Sequence, residues 1–296
     1  MPRSALFVNK QSGGMFSVED LSRSTGQRFF VHSGTGVDAA GNGRSPDSPV
    51  ATIDYAIGLC AANKNDIIFV MPGHAENISA AGYITADVAG ISIIGLGNGS
   101  NRPTLTFSNT AGTILVTADN VTIQNVRCTV SVDSVVTGIS ITGANCTLDA
   151  VDFFETASVQ MLIFILTSAA ADGLTIKNCN HIQAAAGSAK WIDLVGCDNC
   201  VIVDNFFHVN ATTHILGGTT TASLQVNIHR NKFVNPANAA VIVLLASSTG
   251  LVTFNHAGGA KTSQAAMFAL ASAYGCENFV TNAANTNGLL DPAVDT

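Results

Sequence analysis

One short pattern recurs along this chain, and its period restricts the fold more than any other feature. Segments such as Ile91-Ser-Ile-Ile, Val121-Thr-Ile-Gln-Asn125, Cys146-Thr-Leu-Asp, Leu174-Thr-Ile-Lys-Asn178, Cys200-Val-Ile-Val-Asp204, Val226-Asn-Ile-His and Leu251-Val-Thr-Phe-Asn255 align with one another, and their first residues lie 30, 25, 28, 26, 26 and 25 positions apart. A fixed period of this length marks a repeat architecture in which each unit stacks on the one before. Each unit is β-branched, alternates with period two and closes on Asn, Asp or Gly, so it reads as a short strand followed by a turn. The regular leucine scaffold of a leucine-rich repeat is missing, and propeller blades need about 40 residues each. The expected fold is therefore all-β: a single-stranded right-handed parallel β-helix, a solenoid with rungs about 4.8 Å apart.

Within the units, Ser92, Thr122, Thr147 and Thr175 alternate with apolar neighbours and are expected to face outward, leaving Ile, Val, Leu and Cys inside. Asn125, Asn178, Asn205, Asn231 and Asn255 recur just after the strands, where an Asn side chain tolerates left-handed backbone angles and bonds to neighbouring turns. Phe153, Phe154, Phe206, Phe207 and Phe233 recur at the coil spacing and are expected to stack inside.

An open solenoid end exposes core and unpaired edges, so both ends need caps. Residues 52–62 carry Ile53, Ala56, Ile57, Cys60 and Ala61 on one helical face, with Thr52 as N-cap, which predicts a helix over the first rung. The organisation expected is an extended arm over residues 1–27, a β-helix with its cap over 28–277, and an irregular tail over 278–296. A short helix is expected from Ala265 to Tyr274. The arm places Phe7, Val8, Met15, Phe16 and Val18 among small polar residues, a pattern suited to lying on another surface.

Composition narrows the function. Lys and Arg number 13 against 20 acidic residues, a net charge of −7, and the basic residues are scattered singly, so nucleic acid is not expected as a partner. Apolar runs such as Met161 to Leu166 are far shorter than the ~20 residues that span a bilayer, so no membrane is expected either. The start lacks the charged-then-apolar layout of a signal peptide, which predicts a protein made in the cytoplasm. Seven cysteines, with Cys146 and Cys200 at small-apolar positions, read as reduced core thiols, and the lone Cys197-Asp198-Asn199-Cys200 runs into a strand rather than opening a helix.

The stretch Phe30-Val31-His32-Ser33-Gly34-Thr35-Gly36-Val37-Asp38, then Ser45-Pro46-Asp47-Ser48-Pro49, the predicted cap helix and Ile67-Ile68-Phe69-Val70-Met71-Pro72-Gly73-His74-Ala75-Glu76 resembles the opening of pectin-lyase-like β-helix proteins of tailed bacteriophages. The resemblance covers about residues 28 to 78. It implies the fold and a virion setting on a head or tail. Some tailspikes on the same fold cleave bacterial polysaccharide, but those carry a longer coil and a separate particle-binding domain.

A strict interval of 26 lines up Asp152, Asn178, Asp204, Arg230 and His256 as a polar column. Inverting glycosidases hold two carboxylates ~6.5 to 9.5 Å apart, and two rungs place Asp152 and Asp204 near the upper edge of that range. Asp149, Asp152 and Glu155 are the candidate calcium cluster, yet the next rung offers Lys177 where a second acidic pair is needed. His74 and Glu76 read as a structural turn. His181, His208, His214 and His229 are dispersed, without metal-ligand spacing. Gly95-Leu96-Gly97-Asn98-Gly99 follows a strand but opens no helix, and reads as a turn rather than a phosphate loop. No residue is assigned a catalytic, cofactor-binding or metal role, and no cofactor is expected.

Two functions follow. One is a non-enzymatic structural protein of a phage virion, a capsid decoration or cement protein, associating as a homotrimer with itself and with the major capsid protein or another virion protein. The alternative is a tailspike-type protein that binds or degrades a host glycan as a hydrolase or lyase. Exposed aromatic platforms would favour the second, and the chain has one Trp, Trp191, and three Tyr.

Overall fold

The structure is a computed structural model that describes residues 26–154, 159–218, 220–261, 267–282 and 289–290. The arm up to residue 25, Glu155 and most of the tail beyond residue 282 lie outside the described residues.

The expected fold is the one observed: an all-β parallel β-helix of about eight turns with almost no helix. Each rung contributes strands to three parallel sheets. Sheet one stacks Arg28–Val31, Ile67–Val70, Ser92–Gly95 and their successors up to Tyr274–Cys276. Sheet two runs from Ala75–Ile78 and Thr104–Phe107 to Lys232–Asn235, His256–Gly259 and Asn278–Asn282. Sheet three begins at Ile84–Ala86 and Ile114–Val116 and ends at Ala240–Val243 and Phe268–Ala269.

The period-two alternation fixes which side chains go inside, because parallel pairing carries the in-and-out register from rung to rung. In sheet one Ile68, Ile93, Ile123, Leu148, Ile176, Ile202, Ile228 and Val252 stand one above another, all buried. Sheet three stacks Ile84, Ile114, Ile139, Ile165, Ile192 and Leu216 in the same way. Each such side chain contributes roughly 1.5–3 kcal/mol of apolar burial. Ser92, Thr122, Thr147 and Thr175 form the outward column of sheet one, as the alternation requires.

The sequence alignment slips by one residue in its last unit. Val226 pairs with Gly250, not Leu251, so Val252 is buried and Leu251 faces out. The aromatic expectation holds in part: Phe153, Phe207 and Phe233 are buried, while Phe154 and Phe206 point outward and are only half-buried.

Two corners explain the recurring Asn residues. Between sheets one and two the chain turns on a single left-handed residue per rung: Asn125, Ala150, Asn178, Asp204, Arg230, Phe254 and Glu277, with φ between 52° and 57°. Between sheets three and one the same role falls to Gly90, Asn120, Asn145, Gly173, Asn199 and Gln225. Asn and Gly suit this region because a short polar side chain or none relieves the clash that other residues meet.

Asn205, Asn231, Asn255 and Asn278 do something different. They follow the corner and form a buried ladder, in which each carboxamide Nδ2 donates to the Oδ1 of the Asn one rung on, at 2.9, 3.0 and 3.0 Å. Each Oδ1 also accepts the backbone N–H of the residue one rung before, and each Nδ2 also donates to a sheet-one carbonyl, such as Ile202 O for Asn231 at 2.8 Å. A polar group so placed is buried without penalty only because all its bonds are made.

At the first rung, the helix Ile53–Gly58 covers the coil with Ile53, Ala56 and Ile57, and Thr52 accepts the Tyr55 N–H at 3.3 Å as N-cap. The helix is shorter than the 52–62 expected: Cys60 is half-buried and Ala61 exposed. At the other end the helix expected between Ala265 and Tyr274 does not form in its described part. Phe268–Ala269 pair in parallel with Ile242 and Val243, and Ala271 turns left-handed at φ 54°. Asn278–Asn282, expected to be irregular, is instead a further sheet-two strand, paired antiparallel on its far edge with Leu289–Leu290.

Two predictions follow from this register. Ile202 and Ile228 stack inside, so Ile202→Asp, which buries an unpaired carboxylate, is expected to abolish soluble folding, whereas Thr175→Asp on the outer face yields folded protein by circular dichroism. Asn231→Ala deprives two donors of Asn205, its N–H and its Nδ2, of their acceptor. At about 1–3 kcal/mol per buried group left unbonded, a loss of about 2 to 6 kcal/mol is expected in denaturant melts, with Asn178→Gly at the exposed corner close to neutral.

Candidate functional site

The polar column inferred at an interval of 26 is divided by the structure between two neighbouring columns. Asn178, Asp204 and Arg230 share the left-handed corner. Asp152 and His256 lie two residues further on, in the outward column of sheet two that runs Thr104, Arg127, Asp152, Asn180, Phe206, Lys232, His256 and Phe279. Uneven turn lengths cause the split, since a strict count drifts wherever a rung has more or fewer than 26 residues.

Each carboxylate in this region is already engaged. Asp152 is buried and receives an Arg102 guanidinium nitrogen, while its other oxygen accepts the Asn180 N–H at 2.8 Å. Arg102 also donates to the Ala150 carbonyl. This arginine was not singled out in the sequence, because it belongs to the turn after the short Gly99–Asn101 helix and reaches a residue 50 positions away with no periodic signal. Arg127, beside Asp152 in the column, donates to Gly99 O at 2.9 Å and lies 5.5 Å from the centroid of the Phe154 ring.

Asp149 faces Lys177 at 3.5 Å and accepts from Asn178 at 2.8 Å and Gln124 at 3.3 Å. Asp204 is gripped by both Nε and Nη2 of Arg230, each at 2.7 Å. That bidentate bond holds the Asp204 carboxyl below its ordinary range and raises the Arg230 guanidinium above its own. Asp152 and Asp204 therefore stand in different columns, each held by its own partners. Asp149 and Asp152 address different partners and do not converge on a common point. Glu155, the third member of the candidate calcium cluster, lies outside the described residues, and no group of three metal-ligating side chains forms among those described.

His74 and Glu76 build the cap. The Nδ1 of His74 accepts the Ser33 N–H at 3.1 Å, so its Nε2 carries the proton and donates to Glu76 at 3.0 Å. The same Glu76 oxygen accepts the Ile53 N–H at the start of the cap helix. Glu76 occupies the inward sheet-two position that Leu105, Cys128 and Phe153 fill higher up. The pair thus ties strand, turn and helix together, as a structural turn should.

His181 takes the same inward position one rung above Phe153. It accepts the Trp191 Nε1–H at 2.8 Å and donates to Val151 O at 2.8 Å, with Phe164 and Phe207 packed edge-on. Burial pushes its pKa down to about 3. His214, on sheet three beside the Lys190–Asp193 ion pair at 2.7 Å, is likewise pushed down by burial to about 4. Both ring nitrogens of His214 and one oxygen of Asp193 lack a hydrogen bond among the described residues. His208 and His229 are half-buried on outward faces. All seven cysteines are free. Cys197 and Cys200 are buried, and the bond to Cys197 together with burial pushes the Cys200 thiol up, away from the thiolate that redox or metal chemistry uses. In the glycine-rich turn, Gly95 and Gly97 offer carbonyls to Asn125 Nδ2 at 2.7 and 3.1 Å.

No protein-family profile matches the chain, and a search of curated proteins finds no match. Among solved structures it is similar to a rhamnogalacturonan lyase, with 12% identity, a TM-score of 0.44, and coverage of 81% of this chain and 75% of that one. A likeness at this level carries no argument about chemistry.

His181 makes a pH prediction. Its folded pKa, about 3, lies below the ordinary 6.5, so the unfolded chain binds the proton first. The stability it contributes is complete above pH 6.5 and is lost as pH falls from 6.5 towards about 3. Denaturant melts of wild type and His181→Phe at pH 7.5 and 4.5 check this: the variant is weaker at both, but its drop between them is smaller.

Proposed function

We propose that the chain is a non-enzymatic structural protein of a tailed-phage particle, a decoration or cement protein of the head, with a tail component as the close variant. The observation that carries this reading is the use made of the polar residues. Asp152 and Asp204, the carboxylates of the best catalytic candidate, and Asp149 of the candidate calcium cluster are each bound to a cation or a backbone N–H of a neighbouring rung. They brace the coil. An inverting polysaccharide hydrolase needs two such groups free and facing each other across the bond it cleaves. The phage setting rests on the resemblance over residues 28 to 78, and the His74–Glu76 and Thr52 contacts give those residues a role as a built cap. The partners proposed are further copies of the chain, as a trimer, and the major capsid protein or another virion protein.

Mixing the purified chain with particles that lack it is expected to give saturable co-sedimentation, without release of unsaturated uronate or reducing ends from acidic polysaccharides. Turnover of such a polymer that Asp152→Asn or Asp204→Asn abolishes would replace this reading with the enzymatic one.

A further inference from the structure

We infer that Lys190, Asp193 and His214 on sheet three form a proton-operated switch, in which acid gives His214 a charge and a bond to Asp193 that it lacks at neutral pH. Lys190 and Asp193 belong to the strand Asn180–Asp193, and Lys190 pairs with His214 of Phe206–Gly217 one rung on. Asp193 pairs with Gly217, which contributes no side chain to the space above it. The cluster is enclosed: His214 is fully buried and Asp193 nearly so. Buried polar groups in a folded chain are almost always bonded. Here neither ring nitrogen of His214 nor the Oδ1 of Asp193 has a hydrogen-bond partner among the described residues. The other oxygen, Oδ2, holds Lys190 at 2.7 Å. The Gly217 carbonyl beside the ring already accepts the Leu194 N–H at 2.6 Å. One imidazole and one carboxylate oxygen are thus left open in a single buried cluster.

A neutral ring with both nitrogens unbonded weakens the fold relative to an apolar side chain of similar size, so folding alone does not account for a histidine here. A proton gives it a use. Burial disfavours the imidazolium and pushes the His214 pKa down to about 4, with Asp193 opposing that shift and Lys190 reinforcing it. Among the described residues these are the two titratable groups that face the ring: the strand Ala240–Val243 above carries none, and on its own strand the nearest is His208, back on sheet two. Once charged, the ring has one anion to turn to, the open oxygen of Asp193, and the carboxylate is then shared with Lys190. The backbone can follow. Its pairing with Phe206–Gly217 shifts register between Gln183 and Ser188 and again between Ser188 and Lys190, so the chain just before Lys190 is not locked into a regular ladder. His181 supplies the contrast, because both of its nitrogens are bonded, to Val151 O and to Trp191 Nε1. Since the folded value for His214 lies below the ordinary 6.5, the unfolded chain takes the proton first, and stability falls as pH drops from 6.5 towards about 4. The inference is independent of the virion reading, whose failure would leave every readout below unchanged.

Proton NMR of the imidazole C–H signals of the full chain tests it, with the His214 signal assigned by its absence from His214→Leu. The wild-type midpoint is expected near 4. Asp193→Asn should move it down by about one pH unit or more, and Lys190→Met should move it up by about half a unit or more. His214→Leu should melt no lower than wild type at pH 7.5 and above it at pH 4.5. Amide exchange over residues 211–217, corrected for the intrinsic effect of pH, should quicken between pH 7.5 and 4 in wild type but not in His214→Leu. A ring that titrates near 6.5, or a midpoint that neither Asp193→Asn nor Lys190→Met moves, overturns the inference. So does a His214→Leu that melts lower at pH 7.5, by showing that the neutral ring is bonded in the fold. Wild-type exchange that matches His214→Leu at both pH values also overturns it, by showing that the proton rearranges nothing.

Discussion

Parallel pairing of each rung with the next is the interaction on which everything else in this molecule depends. It transmits the in-and-out register along the coil, so that one Ile above another in sheet one commits every residue between them to a face. It also removes the freedom of the corners. Once two strands are fixed on neighbouring sheets, the residue between them must turn in a single step, and the left-handed region provides that step. The column from Asn125 to Glu277 records this demand in seven consecutive rungs.

The same stacking lets polar groups be buried in order. An isolated Asn in a core is costly, yet Asn205, Asn231, Asn255 and Asn278 satisfy one another because their spacing equals the rung spacing. Charged groups follow the same logic outside. Asp204 meets Arg230 one rung on, and Asp149 meets Lys177 one rung on. The polar surface of the coil is in large part a set of rung-to-rung braces, which is why residues that look catalytic when counted along the chain are structural in place.

Function, if it lies in association, is then expected where the bracing pattern breaks. The upper rungs carry Leu251, Phe254 and Tyr274 at positions where lower rungs carry Thr, Asn or Asp.

The sequence by itself determined the coil. Its period, its alternation, the Thr52 cap and the outward Thr column are local properties, written in short segments and enforced by backbone geometry. It also marked the recurring Asn residues, but could not say that Asn125 and Asn178 turn the chain while Asn205 and Asn231 bond between rungs, since that depends on a one-residue difference in position. Tertiary structure decided what depends on uneven turn lengths and long reach. It moved Asp152 and His256 out of the column of Asn178, Asp204 and Arg230, turned Leu251 outward, and brought Arg102 to Asp152 across 50 residues. It also extended the coil through Asn278–Asn282, where composition alone suggested an irregular tail. The physical reason is the same in each case: the residues that meet across rungs are set by accumulated register, and register is a property of the stacked coil rather than of any one segment.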